Sequence, residues 1–145
     1  MIERRFGGVL LCCAAMALGA CGSDSSGPSD LECEGGLALT IGANVGGVLE
    51  QGDALDVDGA FLDRYALTVT GAGPVEITMR STAVDAFLWL LSESGAVLAQ
   101  DDDSGLGVNG LDAQITETLS EGCYLVEATT FEGETGAYTL TVERP

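Results

Sequence analysis

The stretch "YALTVTGAGPVEITMR", residues 65–80, carries apolar residues at nearly every second position. Tyr65, Leu67 and Val69 alternate with small or polar neighbours, and after a glycine-containing link the same pattern runs from Val75 to Met79. A period of two is typical of a β-strand that buries one face and exposes the other. The stretch therefore predicts two half-buried strands.

The same alternation recurs along most of the chain after residue 37. It is found in residues 37–41, 115–119, 123–128 and 138–142, with glycine, aspartate or asparagine between the runs. No convincing helical periodicity follows the first twenty residues. A length of 145 residues with 46% apolar content suits one domain. Eight or nine short strands at this spacing predict an all-β antiparallel sandwich with one hydrophobic face per sheet.

The first twenty residues are different and have the pattern of an export signal. Arg4 and Arg5 precede an apolar stretch, residues 9–18, which is too short for a stable membrane span. It ends in Leu-Gly-Ala-Cys at residues 18–21, which resembles the bacterial lipoprotein signal, where cleavage precedes the cysteine and that cysteine is acylated. We therefore expect Cys21 to be the lipidation site; the alternative is an ordinary signal peptide with an incidental cysteine.

These boundaries divide the chain into a signal peptide (1–20), an acylated N-terminus with a flexible tether (21–36) and a β-sandwich (37–145). The serine- and glycine-rich residues 22–30 would give the tether a reach of about 15–20 Å. The expected location is the cell envelope, anchored by acyl chains outside the cytoplasmic membrane. An outer membrane is favoured because Gly22, rather than an aspartate that would signal inner-membrane retention, follows the cysteine.

The charge balance excludes nucleic acid as a partner, because five basic residues stand against 23 acidic ones and the chain has no histidine. Without the leader, three arginines remain against 22 acidic residues, a formal charge of −19. Anionic lipid headgroups would repel such a domain, so attachment to the membrane should come from the acyl chains. An acidic surface of this kind suits solubility, cation binding or a basic partner.

Two cysteines remain in the exported domain once Cys21 is acylated and Cys12 and Cys13 leave with the leader. In an oxidising compartment Cys33 and Cys123 are expected to form a disulfide that joins the start of the domain to a late strand. Two buried thiols or an intermolecular bond are the alternatives. Thiol catalysis is not expected, because no histidine exists to activate a thiolate.

Residues 47–142 resemble the bacterial pre-peptidase C-terminal domain. The resemblance rests on the order and spacing of short landmarks rather than on any single one. They are residues 63–65 opening a strand, Asp85 with Leu88 and Leu90, Gly95, Asp102 with Asp103, residues 122–124, and Gly136 with Tyr138 and Leu140. The resemblance implies a jelly-roll-like β-sandwich of about eight strands, of a kind usually appended to secreted peptidases and sometimes used to bind matrix polymers. No peptidase accompanies it in this chain.

Catalysis is not expected of this domain. Serine chemistry lacks a histidine base, a zinc site lacks its commonest ligands, and no phosphate-binding glycine loop follows a strand. Only a carboxylate pair could support hydrolysis, and it would need a cleft with two different environments. A small carboxylate-based hydrolase is therefore the least favoured function.

The stretch "AQDDDSGLGVNGLD", residues 99–112, is the candidate metal loop. Counted from Asp101, the oxygen ligands Asp103, Asn109 and Asp112 imitate an EF-hand loop, but Leu106 stands where glycine is required and strands flank the loop. A calcium ion could still relieve the repulsion of adjacent carboxylates. The alternative is that the aspartates cap loop amides and meet water. The candidate ligands are Asp85, Asp101, Asp102, Asp103 and Asn109.

The stretch "DAFLWLL", residues 85–91, has two apolar faces, whereas a sandwich strand exposed on one side needs only one. If Leu88 and Leu90 point inward, Phe87 and Trp89 lie on the outer face and could bind a partner. The alternatives are that another segment covers them or that Trp89 is the inward residue. The predicted function is a lipid-anchored, non-catalytic module that binds an envelope polymer, a matrix polymer or a protein. A purely structural surface lipoprotein without a ligand is the alternative.

Overall fold

The computed structural model describes residues 31–105, residue 107 and residues 110–145. These residues contain no helix, and so none that could cross a membrane. The lipidation site predicted at Cys21 and the candidate ligand Asn109 lie outside them. The ten strands are β1 (Leu37–Thr40), β2 (Asn44–Leu49), β3 (Ala54–Leu55), β4 (Phe61–Val69), β5 (Gly73–Arg80), β6 (Ala86–Ser92), β7 (Val97–Asp101), β8 (Ala113–Leu119), β9 (Gly122–Thr130) and β10 (Gly136–Glu143).

The strands form two sheets that pack face to face, which confirms the predicted all-β sandwich. The first sheet has the order β1-β4-β9-β6-β7, with β3 paired to β4, and the second has the order β2-β10-β5-β8. Apolar residues at alternate positions of both sheets meet in one core, as in other sandwiches. The fully buried members of that core include Leu67, Val75, Met79, Leu88, Leu90, Val126 and Leu140.

Two features of the strands differ from the sequence prediction. There are ten strands rather than about eight, because β3 has only two residues and β2 contains two glycines that obscure its alternation. In addition, β1 pairs with β4 in parallel, whereas an antiparallel sandwich was expected. The two strands are not joined by a hairpin, so no short turn dictates their relative direction.

The glycine at position 47 is explained by a tyrosine that packs on it. A Cβ atom there would overlap the ring of Tyr138. The Tyr138 hydroxyl lies 2.6 Å from that of Tyr65 and donates to Oδ2 of Asp63, also at 2.6 Å. Burial, followed by these hydrogen bonds, raises the pKa of Tyr138, so its hydroxyl stays protonated. The cluster is a polar cross-link between the two sheets.

The disulfide between Cys33 and Cys123 is formed, with Cα atoms 5.4 Å apart, as the sequence predicted. It fastens residues 31–36, which precede β1, to the outer face of the first sheet. Thr68 of β4 donates to the sulfur of Cys33 and, more weakly, to the carbonyl of Leu31. Gly36 lies so close to the Arg64 backbone that a Cβ atom would not fit. This segment therefore belongs to the packed domain.

Candidate functional site

The side chains of strand β6 point to the two faces of the sheet as its sequence predicted. Leu88 and Leu90 are completely buried between the sheets, whereas Phe87, Trp89 and Leu91 lie half-buried on the outer face of the first sheet. Because β6 pairs with β9 on one side and β7 on the other, this outer face is the middle of a sheet and not an edge. Neither a covering segment nor an inward Trp89 is needed to explain the pattern.

A third aromatic ring completes the group. Phe131 follows β9 directly, and its backbone amide donates to the carbonyl of Asp85 at 3.1 Å. Its ring lies 6.4 Å from that of Phe87 in a stacked orientation, and Phe87 lies 5.1 Å from Trp89. The Phe131 side chain is 61% exposed, which is unusual for a residue of this size. Sequence analysis missed it, because it lies in a turn where no periodicity applies.

The three rings border a hollow of about 240 Å³ on the outer face of the first sheet. We call this hollow the aromatic groove. The turn between β3 and β4 forms one wall of the groove, and the segment that follows Phe131 forms another. The groove is lined by Asp56, Asp58, Gly59, Ala60, Phe87, Trp89, Thr130, Phe131, Glu132 and Gly133.

Hydrogen bonds fix the turn that forms one wall of the groove. Oδ1 of Asp56 accepts from the amides of Asp58 and Ala60, both at 2.9 Å. Thr129 of β9 donates to the carbonyl of Phe61 at 2.8 Å and so ties the end of this turn to the neighbouring strand. The carboxylate of Asp56 is therefore engaged in hydrogen bonds within its own turn. Asp58 and Glu132, by contrast, are exposed to solvent at the rim of the groove.

A second hollow, of about 370 Å³, lies beside the first on the same face. Its lining includes Leu55, Val57, Leu91 and Leu125, of which Val57 is 94% exposed. It also includes the ion pair of Arg64 with Glu127, in which Arg64 Nε and Oε1 are 2.8 Å apart. Apolar surface therefore continues beyond the aromatic groove along the outer face of the first sheet.

The acidic loop after β7 is organised by hydrogen bonds from its aspartates. Oδ2 of Asp101 accepts from the amides of Ser104 at 3.1 Å and Gln114 at 2.8 Å. The buried carboxylate of Asp112 accepts from the Ser81 amide at 3.3 Å and lies 3.7 Å from Nε of Arg80. Asp101 therefore caps loop amides, and Asp112 fastens the loop to the end of β5.

The candidate metal ligands are only partly brought together. Burial raises the pKa of Asp85, and the neighbouring carboxylates of Glu134, Asp102, Glu132 and Asp103 raise it further, so Asp85 lies near two members of the triplet. Within residues 31–105, 107 and 110–145, however, no three acidic or cysteine side chains converge closely enough to hold a metal ion. With Asn109 outside the described residues, the calcium site stays a prediction.

Comparison with known proteins identifies the fold. No protein-family model matches the chain, and no curated protein sequence matches it. Among solved structures, the chain is similar to the pre-peptidase C-terminal domain of a collagenase from Bacillus anthracis. The TM-score is 0.58 at 17% identity, over 77% of this chain and 98% of that one.

Two periplasmic inhibitors of g-type lysozyme show weaker similarity. The protein from Aeromonas hydrophila has a TM-score of 0.46 at 11% identity, over 74% of this chain and 98% of its own. The protein from Salmonella Typhimurium has a TM-score of 0.45 at 16% identity, over 75% and 98%. Of the three similarities, we draw a structural conclusion only from that to the collagenase domain. The chain has the β-sandwich fold of a pre-peptidase C-terminal domain.

Proposed function

We propose that the chain is a lipid-anchored, extracytoplasmic, non-catalytic module that binds an envelope polymer, a matrix polymer or a protein through the aromatic groove. The observation that carries the proposal is the grouping of half-buried Phe87 and Trp89 with exposed Phe131 on the outer side of the first sheet, outside the core. Large aromatic side chains gathered at a solvent-exposed hollow are typical of recognition surfaces.

The outer face of the second sheet provides the contrast. Its outward positions on the central strands β5 and β10 are mostly polar, among them Glu76, Arg80, Thr139 and Thr141. A sandwich with no ligand has no need for one polar and one aromatic face, because both faces meet the same solvent. This difference between the faces favours a binding module over a purely structural surface lipoprotein.

The disulfide and the groove lie at opposite ends of β9. Cys33, which lies after the serine- and glycine-rich residues 22–30, is bonded to Cys123 at the start of β9, whereas Thr130 at the end of β9 lines the groove. Seven residue steps at 3.3 Å each separate the two points by about 23 Å. The point at which the N-terminal segment is fastened to the domain is therefore distant from the groove. The disulfide further supports an oxidising, extracytoplasmic location.

Binding through the groove predicts a specific loss in the Trp89→Ser, Phe131→Ser double variant. Immobilised protein should retain a component of an envelope extract or a purified matrix polymer. The double variant should lose at least about tenfold in affinity, because buried aromatic anchors contribute most of the energy at such surfaces. Thr139→Ala on the second sheet is the matched control and should bind like the wild type. Failure of the wild type to retain any such material would favour the purely structural alternative.

Lipid anchoring predicts a modified N-terminal peptide. Mass spectrometry of protein isolated from the membrane fraction should show Cys21 as the first residue, carrying acyl chains. Cys21→Ser should move the protein from the detergent-soluble membrane fraction to the soluble fraction, because the acidic domain has little attraction of its own for anionic lipid. An unmodified peptide running intact through Ala20 and Cys21 would contradict the anchor.

A further inference from the structure

The aromatic groove is bordered by acids on both sides. Asp56 and Asp58 come from the turn before β4, and Glu132 comes from the segment after β9. The lining that the structure describes contains no basic residue. Three aromatic rings in a hollow edged by carboxylates present the negative faces of their π-systems together with formal negative charge. A positively charged group is the ligand that both features attract.

The arginines of the described residues are engaged away from the groove. Arg64 pairs with Glu127 in the neighbouring hollow, and Arg80 lies near the buried carboxylate of Asp112. Arg144 donates to backbone carbonyls at the start of β5 and in the turn before it. The charge of the acids at the rim is therefore not balanced by a basic residue that lines the groove.

Further carboxylates extend the negative field behind Phe131. The backbone carbonyl of Asp85 accepts a hydrogen bond from the Phe131 amide. The Asp85 amide in turn donates a hydrogen bond to the carboxylate of Glu134 at 2.7 Å. A positively charged group bound nearby would be attracted by these carboxylates in addition to its contact with the rings.

We propose that the aromatic groove binds a lysine or arginine side chain of a basic polypeptide segment. This inference rests on the proposed function and names the chemistry of the partner. The positive end of the side chain would lie over the rings of Trp89 and Phe131 and between the carboxylates of Asp58 and Glu132. Its aliphatic part would cover the apolar surface around Phe87. The same carboxylates would repel an anionic segment. A neutral sugar would have no charge–charge attraction to them.

Titration with an acetylated and amidated hexalysine peptide tests this assignment. Trp89 is the only tryptophan of the chain, so its fluorescence reports directly on the groove. The full mature protein should show saturable binding near 0.15 M salt, where the screening length is about 8 Å. The same peptide with every lysine acetylated should bind at least about tenfold more weakly, because it keeps the length but loses the charge.

Two variants of equal charge distinguish the groove from the general acidity of the domain. Asp58→Asn with Glu132→Gln should weaken hexalysine binding by about tenfold. Glu76→Gln with Glu143→Gln removes the same charge from neighbouring strands of the second sheet and should change binding by less than about twofold, because salt screens it. Phe131→Leu should weaken binding by about threefold, since it keeps an apolar side chain but removes a π-face.

Equal losses in the two charge-neutralised variants would overturn the inference, because the attraction would then be non-specific. Retention of a neutral polymer that depends on Trp89 and Phe131 but not on Asp58 and Glu132 would also overturn it, and would leave the proposed function intact. Absence of both hexalysine binding and polymer retention would refute the two together.

Discussion

Replacing Cys33 and Cys123 with alanine is expected to lower the free energy of unfolding by about 2–5 kcal/mol. The two residues are 90 positions apart, so the bond closes a loop that includes most of the domain. In the chain-entropy description, a loop of that length contributes about 4–5 kcal/mol by restricting the unfolded chain. For a domain of this size the melting temperature should fall by roughly 10–20 °C, as measured by calorimetry or circular dichroism.

In the native state, the disulfide acts on the N-terminal part of the domain. β1 is a four-residue edge strand, and the segment before it is fastened to the sheet by the disulfide. A reducing agent is the internal control. It should lower the melting temperature of the wild type to that of the double variant and leave the double variant unchanged. A reducing agent without effect on the wild type would show that the disulfide is absent in the protein or contributes nothing.

Periodicity predicted the strands that are half-buried and regular. The alternation in residues 65–80 marks which side chains of β4 and β5 reach the core, and Tyr65, Leu67, Val75 and Met79 are buried as expected. It cannot predict which strands pair or in which direction, because pairing depends on contacts between distant parts of the chain. The parallel pairing of β1 with β4 is a result of this kind.

The aromatic groove shows where sequence reasoning reaches its limit. Phe87 and Trp89 could be identified because they break the rule of one apolar face per strand. Phe131 and the turn at Asp56 carry no such signal, since both lie outside regular strands. They meet the rings of β6 through the pairing of β4 with β9 and of β9 with β6, which joins residues between 32 and 65 positions apart. An isolated phenylalanine among threonines and acids was the only available hint.

The acidic loop shows the opposite difficulty, because two aspartates of a conspicuous motif have a structural role that the sequence does not reveal. Asp101 and Asp112 were considered as oxygen ligands because of their spacing. In the structure their carboxylates accept hydrogen bonds from backbone amides, including those of Gln114 and Ser81. Burial of Asp112 could not be predicted, because it depends on how closely residues 105 and 107 approach it. Both positions are glycine, and a Cβ atom at either would collide with Asp112.

Leu88→Ala is expected to lower the free energy of unfolding by about 2–5 kcal/mol, the usual cost of removing a leucine side chain from a packed core. Leu88 is fully buried, and its neighbours across the strands, Ala128 and Asp101, are too short to fill the space left behind. The change should appear as a lower midpoint in urea denaturation with an unchanged slope, because the substitution does not alter the surface exposed on unfolding.

Leu91→Ala is the matched control, because it makes the same substitution three residues later in β6, on the outer face. Leu91 is half-buried, so part of its surface meets water in the native state, and its loss should cost less, about 1 kcal/mol. A large difference between two identical substitutions can only come from the side of the sheet on which each leucine lies. Equal losses, or a larger loss for Leu91, would mean that the second apolar face of β6 is covered in the native protein. The second hollow, which Leu91 lines beside the aromatic groove, would then not be an open surface, and the apolar surface available to a partner would end at the groove.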